Sequence, residues 1–183
     1  QGEAVALTTG TTVNGINNAT LVAAGAQPLI GNAAGIGVTF TNRIGTTVTG
    51  LSIAGSTKAV EMTTSAAATG SYTISNNTIR GAGAEGIDVN LNAGTTGTVT
   101  LAITNNAWNT AGTHTGNAID VNRASGALNL NLSGNTNVLS TAASGIVVAG
   151  GAVASTTITG FAGNSVHANT AGAGIAISNV TFD

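Results

Sequence analysis

Short segments in which apolar and polar residues alternate recur along the whole chain. GIDVNL at 86–91 places Ile87, Val89 and Leu91 on one side, and GIAISN at 174–179 repeats the pattern. Strict alternation over a few residues is typical of a β-strand with one buried face. Related segments are GIGVTF (35–40), AVEMTT (59–64), AIDVNR (118–123), GIVVAG (145–150), TVTLAI (98–103) and ALNLNL (127–132).

Four asparagines define the period of this pattern. Asn77, Asn106, Asn135 and Asn164 follow one another at intervals of 29 residues, each three residues after a large apolar residue. A repeat of this size holds short strands and turns but no crossover helix, so strands one repeat apart must stack in parallel, coil upon coil. We expect the stacked asparagine side chains to hydrogen-bond from coil to coil.

The GI[DV]V strands and the (S/T)NNT turns resemble the right-handed parallel β-helix of the pectate-lyase-like superfamily. Within it they are most similar to the β-strand repeats of bacterial extracellular surface and adhesin proteins. The resemblance covers roughly residues 31–183 and implies an all-β, right-handed parallel β-helix (solenoid) of about six coils. Residues 1–30 are less regular, and we interpret them as an opening coil or N-terminal cap.

Composition narrows the class of protein. The chain of 183 residues has 27 glycines, 42% apolar residues and only 5% charged residues, a combination that favours folded strands and turns over disorder. A net charge of −2 excludes a basic nucleic-acid-binding surface, and the absence of cysteine excludes disulfides and thiolate metal sites. The longest apolar stretch, 145–154, is too short to span a bilayer. Few charges and many short polar side chains favour an extracellular location.

Three of the six acidic residues share one outward position on successive strands. We call Glu61, Asp88 and Asp120 the acidic column. Stacked strands lie ~4.8 Å apart, and Asn90 and Asn122 add carbonyl oxygens on the same side. Such oxygen ligands suit Ca²⁺, so the acidic column is a candidate calcium site. Two alternatives stay open: an acid pair for glycoside hydrolysis, or charges that decorate a solvated face and limit aggregation.

Other charged residues lie close to the same strands. Lys58 and Glu85 occupy equivalent positions on adjacent coils and predict an exposed ion pair. Arg123 directly follows Asn122 and is expected near the acidic column. Pectate-lyase-like enzymes use a basic residue as proton acceptor beside bound Ca²⁺, and the resemblance makes Arg123 the candidate for that role.

Several uncharged positions also carry expectations. His114 and His167 lie in turn segments without partners at metal-ligand spacing, so we interpret both as solvated loop residues. Trp108 is expected to fill the core or a turn. Gly86 and Gly145 begin matching strands and suggest turns with positive φ.

The function that these patterns favour is structural. We expect a subunit or segment of an extracellular bacterial surface fibre that associates with itself head to tail, with an adhesive role towards a polysaccharide or host surface left open. We expect neither enzymatic activity nor a cofactor other than calcium, and neither a nucleic-acid partner nor a membrane span. The alternative is a polysaccharide-binding or polysaccharide-degrading β-helix that uses Glu61, Asp88 and Asp120. A third class is an ice-binding solenoid, suggested by the threonine pairs Thr47/Thr49, Thr98/Thr100 and Thr157/Thr159.

Overall fold

Parallel strands and turns make up the described part of the chain. The computed structural model describes residues 12–13, 20–22, 27, 29–32, 34–81, 83–109, 114–151, 155–167 and 171–183. These residues form eighteen strands, numbered in chain order, and no helix. No helix long and apolar enough to cross a membrane is therefore found in these ranges.

The strands lie in three parallel sheets, one on each side of a solenoid. The first sheet contains, in spatial order, β1 (Thr12–Val13), β4 (Val38–Thr41), β7 (Val60–Thr64), β10 (Ile87–Leu91), β13 (Ile119–Arg123), β15 (Ile146–Ala149) and β17 (Ile175–Ser178). The second contains β2 (Thr20–Val22), β5 (Thr47–Thr49), β8 (Gly70–Ser75), β11 (Thr98–Thr104), β14 (Ala127–Ser133), β16 (Thr156–Gly160) and β18 (Thr181–Phe182). The third contains β3 (Leu29–Asn32), β6 (Ser52–Gly55), β9 (Thr78–Gly81) and β12 (Ala107–Trp108).

The fold class is confirmed, but the number of coils is corrected. The structure is an all-β parallel solenoid with a period of about 28 residues. About four coils rather than six are complete, with a strand in all three sheets; the three later coils have described strands only in the first two sheets. After β12, turns take the place of strands on the side of the third sheet. There the coils are joined by the isolated bridges Ala107↔Thr136 and Val138↔Val166. Of the predicted opening segment 1–30, residues 1–11, 14–19, 23–26 and 28 lie outside the described residues.

The core consists of the inward residues of stacked strands. Ile87, Val89, Leu101 and Ile103 are fully or almost fully buried, and the same holds for their counterparts in the next coil. Trp108 is buried as predicted. The rings of Phe40 and Tyr72 stack, with centroids 6.4 Å apart and nearly parallel planes. Aliphatic side chains from parallel strands thus build a narrow core without large aromatic clusters.

The asparagine ladder forms inside the turn that follows the second sheet. Asn106 Oδ1 accepts hydrogen bonds from Asn77 N at 3.1 Å and Asn77 Nδ2 at 3.0 Å. Asn106 Nδ2 donates to Ile74 O at 2.9 Å and to Asn135 Oδ1 at 3.1 Å. Asn135 repeats the arrangement with Asn164. The ladder therefore satisfies buried backbone groups and joins one coil to the next.

The residue directly before each ladder asparagine has a left-handed backbone conformation, with positive φ. Asn76 and Asn105 have φ of 55° and 54°, and Gly134 and Gly163 both have φ of 69° at the equivalent position. Gly50, with φ of 71°, occupies the same place one coil earlier. Only glycine and asparagine adopt this conformation readily, which explains the restricted choice.

Gly86 and Gly145 do not have the predicted positive φ. A Cβ on Gly86 would lie 2.5 Å from Ala118 O and 2.8 Å from Trp108 Nε1, and one on Gly145 would lie 2.6 Å from Gly174 O. These glycines allow close packing against the next coil, which a sequence motif does not distinguish from a turn requirement.

Candidate functional site

The acidic column lies on the outward face of the first sheet, at the register predicted from the sequence. Asp88 pairs with Glu61 on β7 and with Asp120 on β13. Thr39 precedes the three acids in this column, and Val147 follows them. Three carboxyl groups therefore stand on successive rungs of one sheet.

Lys58 joins two members of the acidic column. Lys58 Nζ lies 2.6 Å from Glu61 Oε1 and also donates a hydrogen bond to Asp88 Oδ2. Glu85 occupies the position equivalent to Lys58 on the next coil, but Lys58 turns towards Glu61 and Asp88. The predicted Lys58–Glu85 pair is thus wrong, because the outward strand positions bring two other carboxylates closer to the ammonium group.

Asparagine side chains donate hydrogen bonds to the carboxylates of Asp88 and Asp120. Asn90 Nδ2 lies 2.8 Å from Asp88 Oδ2. Asn117 Nδ2 and Asn122 Nδ2 each lie 2.9 Å from an oxygen of Asp120. The amides thus point their N–H groups at the acids, where a calcium site would use their oxygens.

The electrostatics of the column follow from this arrangement. Burial raises the pKa of Asp88, against the opposing effects of Lys58 and Asn90, and the nearby Asp120 raises it further. For Lys58, burial acts to lower the pKa, but the hydrogen bonds and charges of Asp88 and Glu61 outweigh it and raise the pKa above its ordinary value. No group of three or more carboxylate or histidine side chains suited to a metal occurs within the described ranges. Calcium at Glu61, Asp88 and Asp120 stays a prediction.

Arg123 does not lie near the acidic column. It occupies the inward position equivalent to Leu91 and is almost fully buried. Arg123 Nε donates to Gly150 O at 2.7 Å and to Thr156 Oγ1 at 3.0 Å, and Nη1 donates to Gly126 O at 2.8 Å. The strict alternation of β13 sends Asp120 outward and Arg123 inward, so the role of a base beside calcium is excluded for it by geometry.

His114 is fully buried, contrary to the prediction of a solvated loop residue. Neither ring nitrogen has a hydrogen-bond partner among the residues that the structure describes, and burial lowers the pKa of His114 to about 4. The backbone oxygen of His114 accepts hydrogen bonds from Thr141 N and Thr141 Oγ1, both at 2.8 Å. His167 is exposed as predicted, and its Nε2 lies 3.1 Å from Asn137 Oδ1. The burial of His114 depends on packing against the next coil, which no local motif reveals.

The outward face of the second sheet is lined by short polar side chains and carries no charge among its described residues. The strand register pairs Thr47 with Thr73 and Thr49 with Ser75. The strands β8 and β14 thus lie between the three threonine pairs and interrupt the array, as the sequence indicates. Three outward columns result: Ser71, Thr100, Asn129, Thr157 and Thr181; Thr47, Thr73, Ala102, Asn131 and Gly160; and Thr49, Ser75, Thr104 and Ser133.

The last described coil, made of β17 and β18, exposes the inward columns of the solenoid; we call it the terminal coil. Ile175 is 45% exposed, whereas its partner Ile146 on the preceding coil is 0% exposed. Phe182 is 62% exposed, whereas its partner Ile158 is 1% exposed. The inward apolar columns are thus buried in the coil before the terminal coil and exposed to solvent in the terminal coil itself.

Comparison with known proteins adds no assignment. No family model, no curated protein and no solved structure matches this chain. Function must be argued from the acidic column and the terminal coil.

Proposed function

We propose that this chain is a structural segment of an extracellular bacterial surface fibre, in which copies associate head to tail through the terminal coil. The observation that carries the proposal is the exposure of Ile175 and Phe182, whose partners Ile146 and Ile158 are buried. Burying such side chains is worth about 1.5–3 kcal/mol each. A further coil of the same repeat has the shape and hydrogen-bonding groups to cover them.

The occupant that we assign to this surface is the first coil of a second copy. β17 and β18 lie at one edge of the first two sheets, and β1 and β2 lie at the opposite edges. Parallel stacking would place β17 beside β1 and β18 beside β2 of the next copy, continuing both ladders. Because this contact is heterologous, it propagates into a filament.

The lack of charge near the terminal coil supports this association. Residues 124–182 contain no Asp, Glu, Lys or Arg. Natural edge strands avoid pairing mainly through charged side chains, proline or bulges. The second sheet has an irregularity between β14 and β16, but the strands of the terminal coil carry none of these defences.

Sedimentation velocity at increasing protein concentration, followed by electron microscopy, tests the proposal. We expect rods whose length grows with concentration. Ile175→Lys should reduce association strongly, since it puts a charge on the exposed apolar column, whereas Ala176→Lys, on the outward face of the same strand, should change it little. A chain that stays monomeric at high concentration contradicts the proposal, as do equal effects of the two variants.

The resemblance to surface and adhesin repeats supports the extracellular location and a non-enzymatic role. Adhesion to a polysaccharide or host surface is an extension of the proposal.

The alternative of a polysaccharide-degrading enzyme is favoured by one observation, the raised pKa of Asp88 beside Asp120. Lys58 acts against it, because the ammonium group occupies the space between Glu61 and Asp88. Release of reducing sugars from a panel of acidic and neutral polysaccharides would identify that activity.

A further inference from the structure

Three charged side chains that take no part in the proposed fibre interface contact one another on the first sheet. They are those of Lys58, Glu61 and Asp88. Lys58 Nζ lies 2.6 Å from Glu61 Oε1 and is hydrogen-bonded to Asp88 Oδ2. The Asp88 side chain is only 6% exposed, while those of Lys58 and Glu61 are 23% and 20% exposed. An amine and two carboxyl groups from adjacent coils are thus held together, and the one on Asp88 is nearly shielded from water.

The positions of the amine and the carboxyl group are fixed from both sides. The backbone oxygen of Lys58 accepts a hydrogen bond from Gly37 N at 3.0 Å. Asp88 lies on β10 between β7 and β13, and Asn90 Nδ2 donates to Asp88 Oδ2 at 2.8 Å. Holding two reacting groups in contact replaces a bimolecular encounter with a much more favourable intramolecular one.

We propose that Lys58 and Asp88 join through an intramolecular amide bond, with Glu61 as the proton carrier. The Lys58 ammonium first gives one proton to the Asp88 carboxylate, which leaves a neutral amine and a carboxylic acid. The Nζ lone pair attacks Asp88 Cγ, and Glu61 takes a proton from Nζ. Glu61 returns that proton to a Cγ hydroxyl, which leaves as water. An ammonium and a carboxylate become an amide and one water molecule, and no oxidant, cofactor or other reactant is needed.

The bond would tie the coil that begins with β7 to the coil that begins with β10. The two residues are 30 positions apart, so the cross-link closes one complete turn of the solenoid. A covalent tie between adjacent coils prevents them from separating in the unfolded chain, which raises resistance to heat and to pulling along the axis. This inference concerns the chain alone and does not depend on the fibre proposal.

Intact mass spectrometry of the purified full chain tests the bond directly. We expect a mass lower by one water molecule than the sequence requires. Trypsin cleaves an unmodified chain after Arg43, Lys58, Arg80 and Arg123, which gives the separate peptides 44–58, 59–80 and 81–123. An amide on Lys58 prevents cleavage there, so the cross-linked chain should give 44–80 joined to 81–123.

Three variants separate the cross-link from other reactions. Lys58→Arg keeps the positive charge but lacks the amine, so its full mass should be retained. Asp88→Ala removes the carboxyl group and should also retain full mass. Glu61→Gln keeps the size of the side chain and should slow the loss of water at least tenfold.

Some outcomes would overturn the inference. A folded parent chain that keeps its full mass after prolonged incubation shows that the contact is only an ion pair. Loss of water from Lys58→Arg as well shows that an aspartate has dehydrated without a cross-link. Unchanged kinetics in Glu61→Gln overturn the assignment of Glu61 as proton carrier.

Discussion

The middle and the end of the solenoid use the same repeat but differ in charge and burial. Coils between residues 58 and 123 contain Lys58, the acidic column and the buried Arg123, whereas residues 124–182 contain no charged residue. The apolar columns are buried in the middle and exposed in the terminal coil. Both regions form stacked parallel strands of the same repeat, so charge is not needed to build a coil. The charges of the middle coils must therefore serve local chemistry, solubility or partner choice.

The asparagine ladder is also more buried in the middle of the solenoid than near its end. Asn106 has a neighbour on both sides and is fully buried. Asn164 donates to Leu132 O at 2.7 Å and accepts from Asn135, and it is only partly buried. A buried polar group that loses its partner costs more than one that water can reach. The ladder should therefore contribute more to stability in the middle than near the end.

The largest effect is expected from breaking the ladder in the middle. Asn106→Ala removes the side-chain acceptor of Asn77 N and the side-chain donor to Ile74 O, although the backbone N of residue 106 can still donate to Asn135 Oδ1. The loss of these buried contacts should lower the free energy of unfolding by about 4 kcal/mol. Asn164→Ala should cost about half as much. Chemical denaturation of both variants measures the difference.

A matched control lies beside the ladder. Asn105→Gly changes an exposed residue at φ 54°, where Gly134 serves in the next coil, and should cost under about 1 kcal/mol. Equal losses for Asn106→Ala and Asn164→Ala would contradict the claimed difference between middle and end.

His114 should make the middle of the molecule sensitive to acid. Its pKa is lowered by burial to about 4, from an ordinary value of 6.5. Between these pH values the unfolded chain binds a proton that the folded chain does not, so stability falls as the pH is lowered from 6.5 to 4, by up to about 3 kcal/mol. Above pH 6.5 the residue should have no effect.

Carboxylates titrate in the same pH range as His114. Comparing the stability of the parent chain with that of His114→Leu separates the contribution of the imidazole from theirs. His114→Leu should be less sensitive to acid than the parent chain, whereas His167→Leu, at an exposed position, should behave like the parent. Denaturant unfolding at a series of pH values measures the slopes. Parallel curves for parent and His114→Leu would show that the imidazole is solvated in solution.

Strand positions could be predicted from the sequence because period-two alternation and a regular repeat are local signals. The same signals placed Glu61, Asp88 and Asp120 in one column and identified the asparagine ladder. The sequence failed where the answer depends on how one coil packs on another. Burial of His114 and the choice of Asp88 as a partner of Lys58 depend on contacts between coils. The inward direction of Arg123 is different, because it follows from the period-two alternation of β13 and was a local signal that the sequence analysis overlooked. Close packing at Gly86 was mistaken for a turn, since glycine serves both needs.

The calcium prediction can be sharpened by removing the lysine from the acidic column. Lys58→Met leaves the carboxylates of Glu61, Asp88 and Asp120 without their cation, so Ca²⁺ should raise Tm more in this variant than in the parent chain. At ten times its Kd the ion would add about 1.4 kcal/mol. Adding Asp88→Asn to Lys58→Met should remove most of that gain. A Ca²⁺ response that is absent from Lys58→Met would leave the acidic column as a solvated charged face.

The smallest effect is expected from extending charge into the uncharged coils. Val147 follows Asp120 in the same outward column, at a directly paired position. Val147→Lys places an ammonium group beside the Asp120 carboxylate and should stabilise the fold by about 0.5 kcal/mol relative to Val147→Asp, which places like charges together. Denaturation midpoints at low salt measure the difference, and high salt should reduce it because the site is partly exposed. Equal midpoints for the two variants at low salt would contradict this prediction. They would show that the hydrogen bonds from Asn117 and Asn122 already screen the Asp120 carboxylate, so that a charge at position 147 on β15 does not interact with it.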